Sequence, residues 1–396
     1  MMNGELQIIY HSSFIIHHSP LIIMKLKIGV IFGGRSGEHE VSIRSAKTVI
    51  EQIDKEKYEV VPIAIGKEGN WLGPAESMAL FPFEIEQKLT GLVGKFTDNK
   101  VALLGDTKYS GLTNLSNGER FAPLDVVFPV LHGTFGEDGT IQGLLEMADI
   151  PYVGCGVLAS ACGMDKVFMK SLFRDSDLPM CKYVWFLRGE WERNTVAVIS
   201  QVEAKLGYPC FVKPANLGSS VGVSKAVDKN SLKNAIELAA EYDRKIIVEE
   251  ALEMREIECA VIGNEDPRAS LPGEYIIKDD DKKFLDYTEK YAGTGNNEFV
   301  VPALISEELS AKIQKMAVSA YRAVDGSGLA RVDFFLRNDS GALLVNEINT
   351  LPGLTDASGF PKMWAGSGLE FPKVIDELIN LAIERHADKS KNKTSF

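Results

Sequence analysis

The chain has 396 residues, 45% hydrophobic and 25% charged, the make-up of an ordinary globular protein long enough for two or three domains. Its net charge of −12 and pI of about 5.2, with no basic block, argue against nucleic acid or an anionic membrane as a partner. Any bound polyphosphate must therefore be held by local lysines, arginine and metal against the global field. Cys155, Cys162, Cys181, Cys210 and Cys259 form no Cys-x-x-Cys pair and are odd in number, which reads as free thiols in a reducing cytoplasm.

In chain order, Met1–Ile23 is apolar and carries three of the six histidines. It lacks the basic start and small-residue cleavage site of a signal peptide, and no apolar run in it is long enough to span a bilayer. Met24 directly precedes the first strand, so 1–23 reads as a non-native extension; a short membrane- or partner-binding tail is the alternative. Lys27–Phe32 predicts a buried strand, Val41–Ile53 a helix from its apolar spacing, and Tyr58–Ile65 a second strand. This βαβ start predicts a parallel, Rossmann-like sheet domain over 24–154, completed by a strand at Leu124–Pro129, a helix at Gln142–Ala148 and a strand at Tyr152–Val153. Its glycines read Gly33-Gly34-x-x-Gly37, which is not the dinucleotide fingerprint. A central unit, 155–250, predicts helices at Lys166–Asp175, Val196–Leu206 and Ser231–Tyr242. Its strands are Tyr183–Leu187, Cys210–Lys213 and Lys245–Glu250. A C-terminal unit, 251–396, predicts a strand at Glu256–Ile262, a long polar segment 278–297, a helix at Glu307–Val324, a hairpin, a closing helix at Phe371–His386 and a disordered polar tail 387–396.

The hairpin, Arg331–Asn349, is the most informative stretch. Two strand-like runs flank Asn338-Asp339-Ser340-Gly341. With a loop of Asp339-Ser340-Gly341, Asn338 faces Ala342, Asp333 faces Glu347 and Arg331 faces Asn349, all on one face of the ribbon. Opposed carboxylates destabilise a sheet unless a cation lies between them. Carboxylate and amide oxygens beside an arginine suit Mg²⁺ shared with phosphates. A solvated hairpin face is the alternative, and a two-residue loop would place Asp333 and Glu347 on opposite faces.

Two lysines point the same way. Phe211-Val212-Lys213-Pro214 is a short strand followed by the small-residue loop Ala215–Gly222, whose backbone N–H groups can approach a polyanion; a plain hairpin turn is the alternative. Lys166 sits in a first helical turn, against the helix-dipole preference, which suits a lysine that meets an anion and otherwise marks an ordinary exposed one.

Five stretches in order carry a resemblance: Gly33–Ser42, His132–Gly143, Lys213–Val223, Asp286–Tyr291 and Asn346–Gly353. From about Met24 to the last helix the chain resembles the D-alanine–D-alanine ligases of the ATP-grasp superfamily. The resemblance implies an α/β protein, with an N-terminal Rossmann-like domain followed by a two-subdomain ATP-grasp fold. It implies ATP-driven joining of two D-alanines through an acyl phosphate, for cell-wall precursor synthesis, in a cytoplasmic homodimer. It implies two Mg²⁺, or Mn²⁺ in their place, with Asp333 and Asn349 each holding one and Glu347 bridging both. Lys166 and Lys213 would bind the α- and β-phosphates, and Lys290 would add charge near the γ-phosphate. Glu249 would accept from the adenine amino group beside Glu250 and Leu252, and Glu256 from the ribose. Glu38 would pair with the first substrate's ammonium and Ser358 with the second's carboxylate. Arg331 and the Gly353 N–H would stabilise the tetrahedral intermediate. Ser219, Tyr291 and Glu38 would close segment 278–297 as a lid, and His132 would lie near the substrate carboxylates or merely order its loop.

The chain departs from the family pattern at Thr355-Asp356-Ala357-Ser358 and at Glu250, where many relatives carry lysine. The rivals are a D-alanine–D-lactate ligase, against which Tyr291 argues, another ATP-grasp carboxylate–amine ligase, and a non-catalytic nucleotide-binding module.

Overall fold

The computed structural model describes residues 25–82, 87, 100–121, 123–218, 221–277 and 297–393. The extension 1–23, Ser219, Lys290 and Tyr291 lie outside them.

The first unit is β1 (Leu26–Gly33), α1 (His39–Gln52), β2 (Tyr58–Ile65), β3 (Trp71–Leu72), α2 (Pro74–Met78), β4 (Val101–Leu103), β5 (Leu112–Asn114), β6 (Val126–Val130) and α3 (Thr140–Met147). Its sheet runs β3-β2-β1-β6; β1 is parallel to β2 and β6, and β3 is an antiparallel edge. The expected Rossmann-like sheet is present. Its central strands are apolar and buried on both faces, as parallel strands require, so neither face is free for chemistry. Tyr152 only bridges Val127, short of the strand expected there.

The second stretch holds α4 (Val157–Met164), α5 (Lys166–Asp175), β7 (Tyr183–Leu187), α6 (Arg188–Arg193), α7 (Thr195–Lys205), β8 (Cys210–Pro214), β9 (Ser224–Ala226), α8 (Lys229–Tyr242) and β10 (Lys245–Glu250). The sheet β7-β10-β8-β9 is antiparallel and buries Val184, Val212, Ile246 and Val248 against α7 and α8. The helix α5, expected with this sheet, packs elsewhere: Met169 and Phe173, with Ala159 of α4, join the core of the C-terminal sheet.

The third stretch holds β11 (Met254–Gly263), β12 (Arg268–Ala269), β13 (Gly273–Ile277), β14 (Asn297–Val300), α9 (Glu307–Ala323), β15 (Gly328–Arg337), β16 (Leu343–Asn349), α10 (Gly359–Gly366) and α11 (Phe371–Lys389). Its antiparallel sheet runs β14-β13-β11-β15-β16, with β12 on β11. The helix α9 covers one face of it, with Ile313, Ala317 and Tyr321 fully buried. A continuous core joins the first unit to the last: Val30, Phe32, Val49 and Phe128 share a cluster with Phe360, Trp364, Val374 and Leu378. Full burial of side chains of this size stabilises by about 1.5–3 kcal/mol each, before ordering costs. The closing helix runs past His386 to Lys389, into the tail expected to be disordered. Its last turn is tied to the first unit: His386 pairs with Asp149 at 2.9 Å and Lys389 with Glu146.

Candidate active site

The three stretches enclose one cleft in two connected halves. Lys166, Leu217, Gly218 and Glu347 line both. One half also takes Glu38, His132, Arg331, Asn349 and Gly353; the other takes Lys213, Glu249, Glu250, Leu252, Glu256 and Asp333. Thirteen of the residues expected from sequence are therefore brought to one place.

The floor is the face of the C-terminal sheet opposite α9. Glu258, Asp333 and Glu347 lie abreast on β11, β15 and β16, and Ala260, Arg331 and Asn349 form the next row. The expected pairing of Asp333 with Glu347 is observed, by a different route. Arg337 N donates to Ala342 O at 3.0 Å and Leu336 pairs with Leu343, so the loop is one residue longer than expected and Asn338 does not face Ala342. A β-bulge between Asp333 and Phe334 on the one side, with Asn346 as the extra residue, restores the register. Without it Asp333 would face Asn346, and Glu347 would turn toward the core, because strand side chains alternate.

Cations hold this row together. Arg331 donates to both oxygens of Asp333, Nε to Oδ1 at 2.7 Å and Nη2 to Oδ2 at 2.6 Å, and its Nε lies 3.4 Å from Glu258 Oε2. Asn349 Nδ2 donates to Asp333 Oδ2 at 3.1 Å, and Lys166 Nζ is 3.7 Å from Glu347 Oε2. Lys166 is mostly buried, and its Nζ donates to Leu217 O at 2.8 Å, so it is not an ordinary surface lysine. Its helix is capped by Asp165, which accepts from Val167 N and Phe168 N and pairs with the buried Lys245. Asp333, Glu347 and Asn349 offer the hard oxygen donors that a divalent cation prefers. Among the described residues no group of three His, Cys, Asp or Glu side chains is placed to hold a metal ion by itself.

Behind the second half lies a buried trio. Glu249 accepts from Lys213 at 2.6 Å and from Lys170 at 2.8 Å. Burial opposes every charge here, but the mutual attraction overrides it: the Glu249 carboxyl is held far below the usual range, and both ammonium groups are raised. Glu249 is thus no solvated surface charge. Glu250 accepts from Lys182 N at 2.7 Å, away from the trio.

The loops of the parallel sheet form the roof. Glu38 precedes α1, and its carboxylate fills space beside Gly133 and Gly218; a Cβ on Gly133 would sit 2.6 Å from its Oε2. His132 is buried, with Nδ1 3.2 Å from Leu351 O and 3.5 Å from Glu137 Oε1, and Nε2 3.0 Å from Ser45 Oγ. Two acceptors at Nδ1 require a proton there. Burial disfavours the imidazolium, yet the Glu137 carboxylate outweighs it and raises the His132 pKa; burial likewise raises that of Glu137. Ser358 is the one described candidate outside the cleft lining. It is buried just before α10, where its Oγ lies 2.7 Å from Thr355 Oγ1.

Sequence reasoning missed Lys170, Glu137 and Glu258. The i, i+4 spacing from Lys166 to Lys170 was a signal for the first. Glu258 has alternation along β11 as its signal. Nothing local marks Glu137.

The chain matches two family models, the D-ala D-ala ligase N-terminus over residues 27–155 and the D-ala D-ala ligase C-terminus over residues 172–380. It is 46% identical over 369 residues to a D-alanine–D-alanine ligase of Thermoanaerobacter sp. (strain X514), covering 93% of this chain and 99% of that one. With the ligase of Ruminiclostridium cellulolyticum it shares 47% over 376 residues, covering 94% and 99%. Among solved structures, the D-alanine-D-alanine ligase from Coxiella burnetii matches with a TM-score of 0.77 and 36% identity, covering 93% of this chain and 98% of that one. The VanG D-Ala:D-Ser ligase from Enterococcus faecalis also matches with 0.77, at 37% identity, covering 91% and 100%. With both halves matched, relatives spanned almost end to end, and the carboxylate row facing the lysines across one cleft, the chain belongs to the D-alanine–D-alanine ligase family, enzymes of the ATP-grasp fold.

Proposed function

We infer that the chain joins two D-alanines into D-alanyl-D-alanine at the expense of ATP, supplying a peptidoglycan precursor. The observation that carries this reading is the row Glu258–Asp333–Glu347 with Arg331, facing Lys166 and Lys213 on one side and the Glu38 and His132 loops on the other. The carboxylate of the first D-alanine attacks the γ-phosphorus, giving an acyl phosphate and ADP. The free amine of the second D-alanine attacks the acyl carbon, and inorganic phosphate leaves. Such a transfer needs charge neutralisation and alignment more than covalent help.

Lys166 and Lys213 hold the α- and β-phosphates. Lys290 adds charge toward the γ-phosphate. Glu249 and Leu252 meet the adenine and Glu256 the ribose, while Glu250 serves through its backbone. Asp333 and Asn349 would each hold one Mg²⁺, or Mn²⁺, and Glu347 would serve both. When bound, these ions neutralise phosphate charge in the transfer. Arg331, whose fork already spans a carboxylate, and the Gly353 N–H stabilise the oxyanion of the tetrahedral intermediate. Glu38 receives the first substrate's ammonium and Ser358 the second's carboxylate, which requires its hydroxyl to leave Thr355. His132 presents its Nδ1 proton to Glu137 and Leu351, which supports a role in ordering the roof over a direct one. The lid role expected of Ser219 and Tyr291 falls outside the described residues. The free state of all five cysteines supports a reducing, cytoplasmic setting, and no helix among the described residues is long and apolar enough to cross a membrane. The working unit is a homodimer.

A coupled assay of ADP release with D-alanine, D-serine, D-lactate and L-alanine, with products identified by mass, tests the reading. Release that needs D-alanine, with D-alanyl-D-alanine as the main product, is expected. No D-alanine-dependent release would overturn it, and a dominant D-alanyl–D-lactate or D-alanyl-D-serine product would reassign the second substrate.

A further inference from the structure

Glu249 has more cationic partners than adenine recognition needs. It is the penultimate residue of β10, with only 3% of its side chain exposed, and each oxygen meets a different lysine. The two lysines are not equivalent. Lys170 is 1% exposed, on the inward side of α5, where its Nζ also reaches Asn346 O at 3.4 Å and Cys181 Sγ at 3.8 Å. Lys213 is 17% exposed and lines the cleft.

On the ligase reading, on which this inference rests, Lys213 serves ATP. Lys213 cannot give its full charge to a phosphate while it is bound to Glu249 Oε2. If it turns to the phosphates, that oxygen gains at most the neutral N–H of the adenine amino group in return. A buried carboxylate left without a cation is strongly unfavourable. The other titratable neighbours offer no replacement. Cys181 and Tyr183, on the β7 side, carry no positive charge, and Glu347 on β16 is itself negative. Only Lys170 stays in place on Oε1. We propose that Lys170 is a positioning residue for nucleotide binding: the fixed counter-ion of Glu249 that lets Lys213 pass from the carboxylate to the phosphates of ATP.

The test measures binding of Mg·AMPPNP to the full chain by calorimetry, in buffers of different ionisation enthalpy, alongside melting without nucleotide. Lys170→Met should raise Kd about tenfold or more, because binding must now strand or protonate Glu249. It should also take up close to one proton per nucleotide at pH 7, which the wild type does not. Lys170→Arg should recover most of the affinity. In a Glu249→Gln background, adding Lys170→Met should change Kd little, since Lys170 acts through the carboxylate. This arm decides the matter even if the single Lys170→Met variant does not fold. Unchanged affinity in a folded Lys170→Met variant, or a further tenfold loss in the Glu249→Gln background, would overturn the proposal. Failure of the wild type to bind Mg·AMPPNP would instead sink the nucleotide reading itself.

Discussion

The two sheets that meet at the cleft present chemistry in opposite ways. The parallel sheet β3-β2-β1-β6 is covered on both faces, so its functional groups sit past the strand ends, on the loops that carry Glu38 and His132. The antiparallel sheet has α9 on one face, and the other, covered only in part by α10 and α11, carries Glu258, Arg331, Asp333, Glu347 and Asn349 directly on its strands. Residues on a sheet face are held by register, and residues past strand ends by loop geometry. Substitutions on the face should therefore cost chemistry with little loss of fold. Substitutions at the ends should cost both together.

The largest effect expected is that of Glu347→Gln on the face. Turnover of Mg·ATP should fall about a hundredfold or more, while melting moves little because the neutral side chain keeps its shape. ADP release and thermal unfolding measured on one preparation check this. Near wild-type turnover would remove Glu347 from the metal set. Next is Arg331→Lys, which keeps the charge but loses the two-pronged hold on Asp333. Its kcat should fall roughly ten- to a hundredfold with a smaller change in KM for ATP. A raised KM for ATP with an unchanged kcat would point to ground-state binding only.

Gly33→Ala probes the ends. Gly33 has φ of +88°, and a Cβ there would come 2.4 Å from Ile65 O. The strain should cost about 1–3 kcal/mol, and activity should fall with it as the Glu38 loop shifts. A lowered melting temperature with full activity would break the link between fold and site at the strand ends.

The smallest effects lie in the pH dependence of melting, where the two regions should differ in sign. His132 has a raised pKa in the fold, so its contribution is complete below the ordinary value of 6.5 and is lost as pH rises through the raised one. Glu137, also raised, acts in the same direction from its ordinary 4.5 upward. Glu249 is depressed, so its contribution is present above 4.5 and lost as pH falls toward its lower value. His132→Gln should flatten the alkaline side of the melting profile, and Glu249→Gln the acid side. The same limb flattened by both variants would contradict the assigned directions.

Much of this was legible in the chain. Strands at Tyr58–Ile65, Tyr183–Leu187 and Lys245–Glu250 and the helix Lys166–Asp175 appear with the bounds expected from sequence. The short helices α4, α6 and α10 were not anticipated. They are too short to show a clear period, and their packing partners lie far along the chain. The closing helix outran its expected end because Glu146 and Asp149, more than two hundred residues earlier in sequence, supply its final partners.

Local patterns thus determined which segments are strands and helices, and motif order determined the family and most of the cleft. Tertiary structure alone decided three things. It set Glu347 on the working face through a bulge that no turn rule announces. It moved α5 from the central sheet to the C-terminal one, which carries Lys170 behind the cleft. It also buried Glu249 between two lysines, turning an unremarkable acidic pair into an ionised trio. The physical reason is common to all three. Backbone propensity and period act over a few residues, whereas register, burial and charge compensation depend on groups that meet only after the chain has folded.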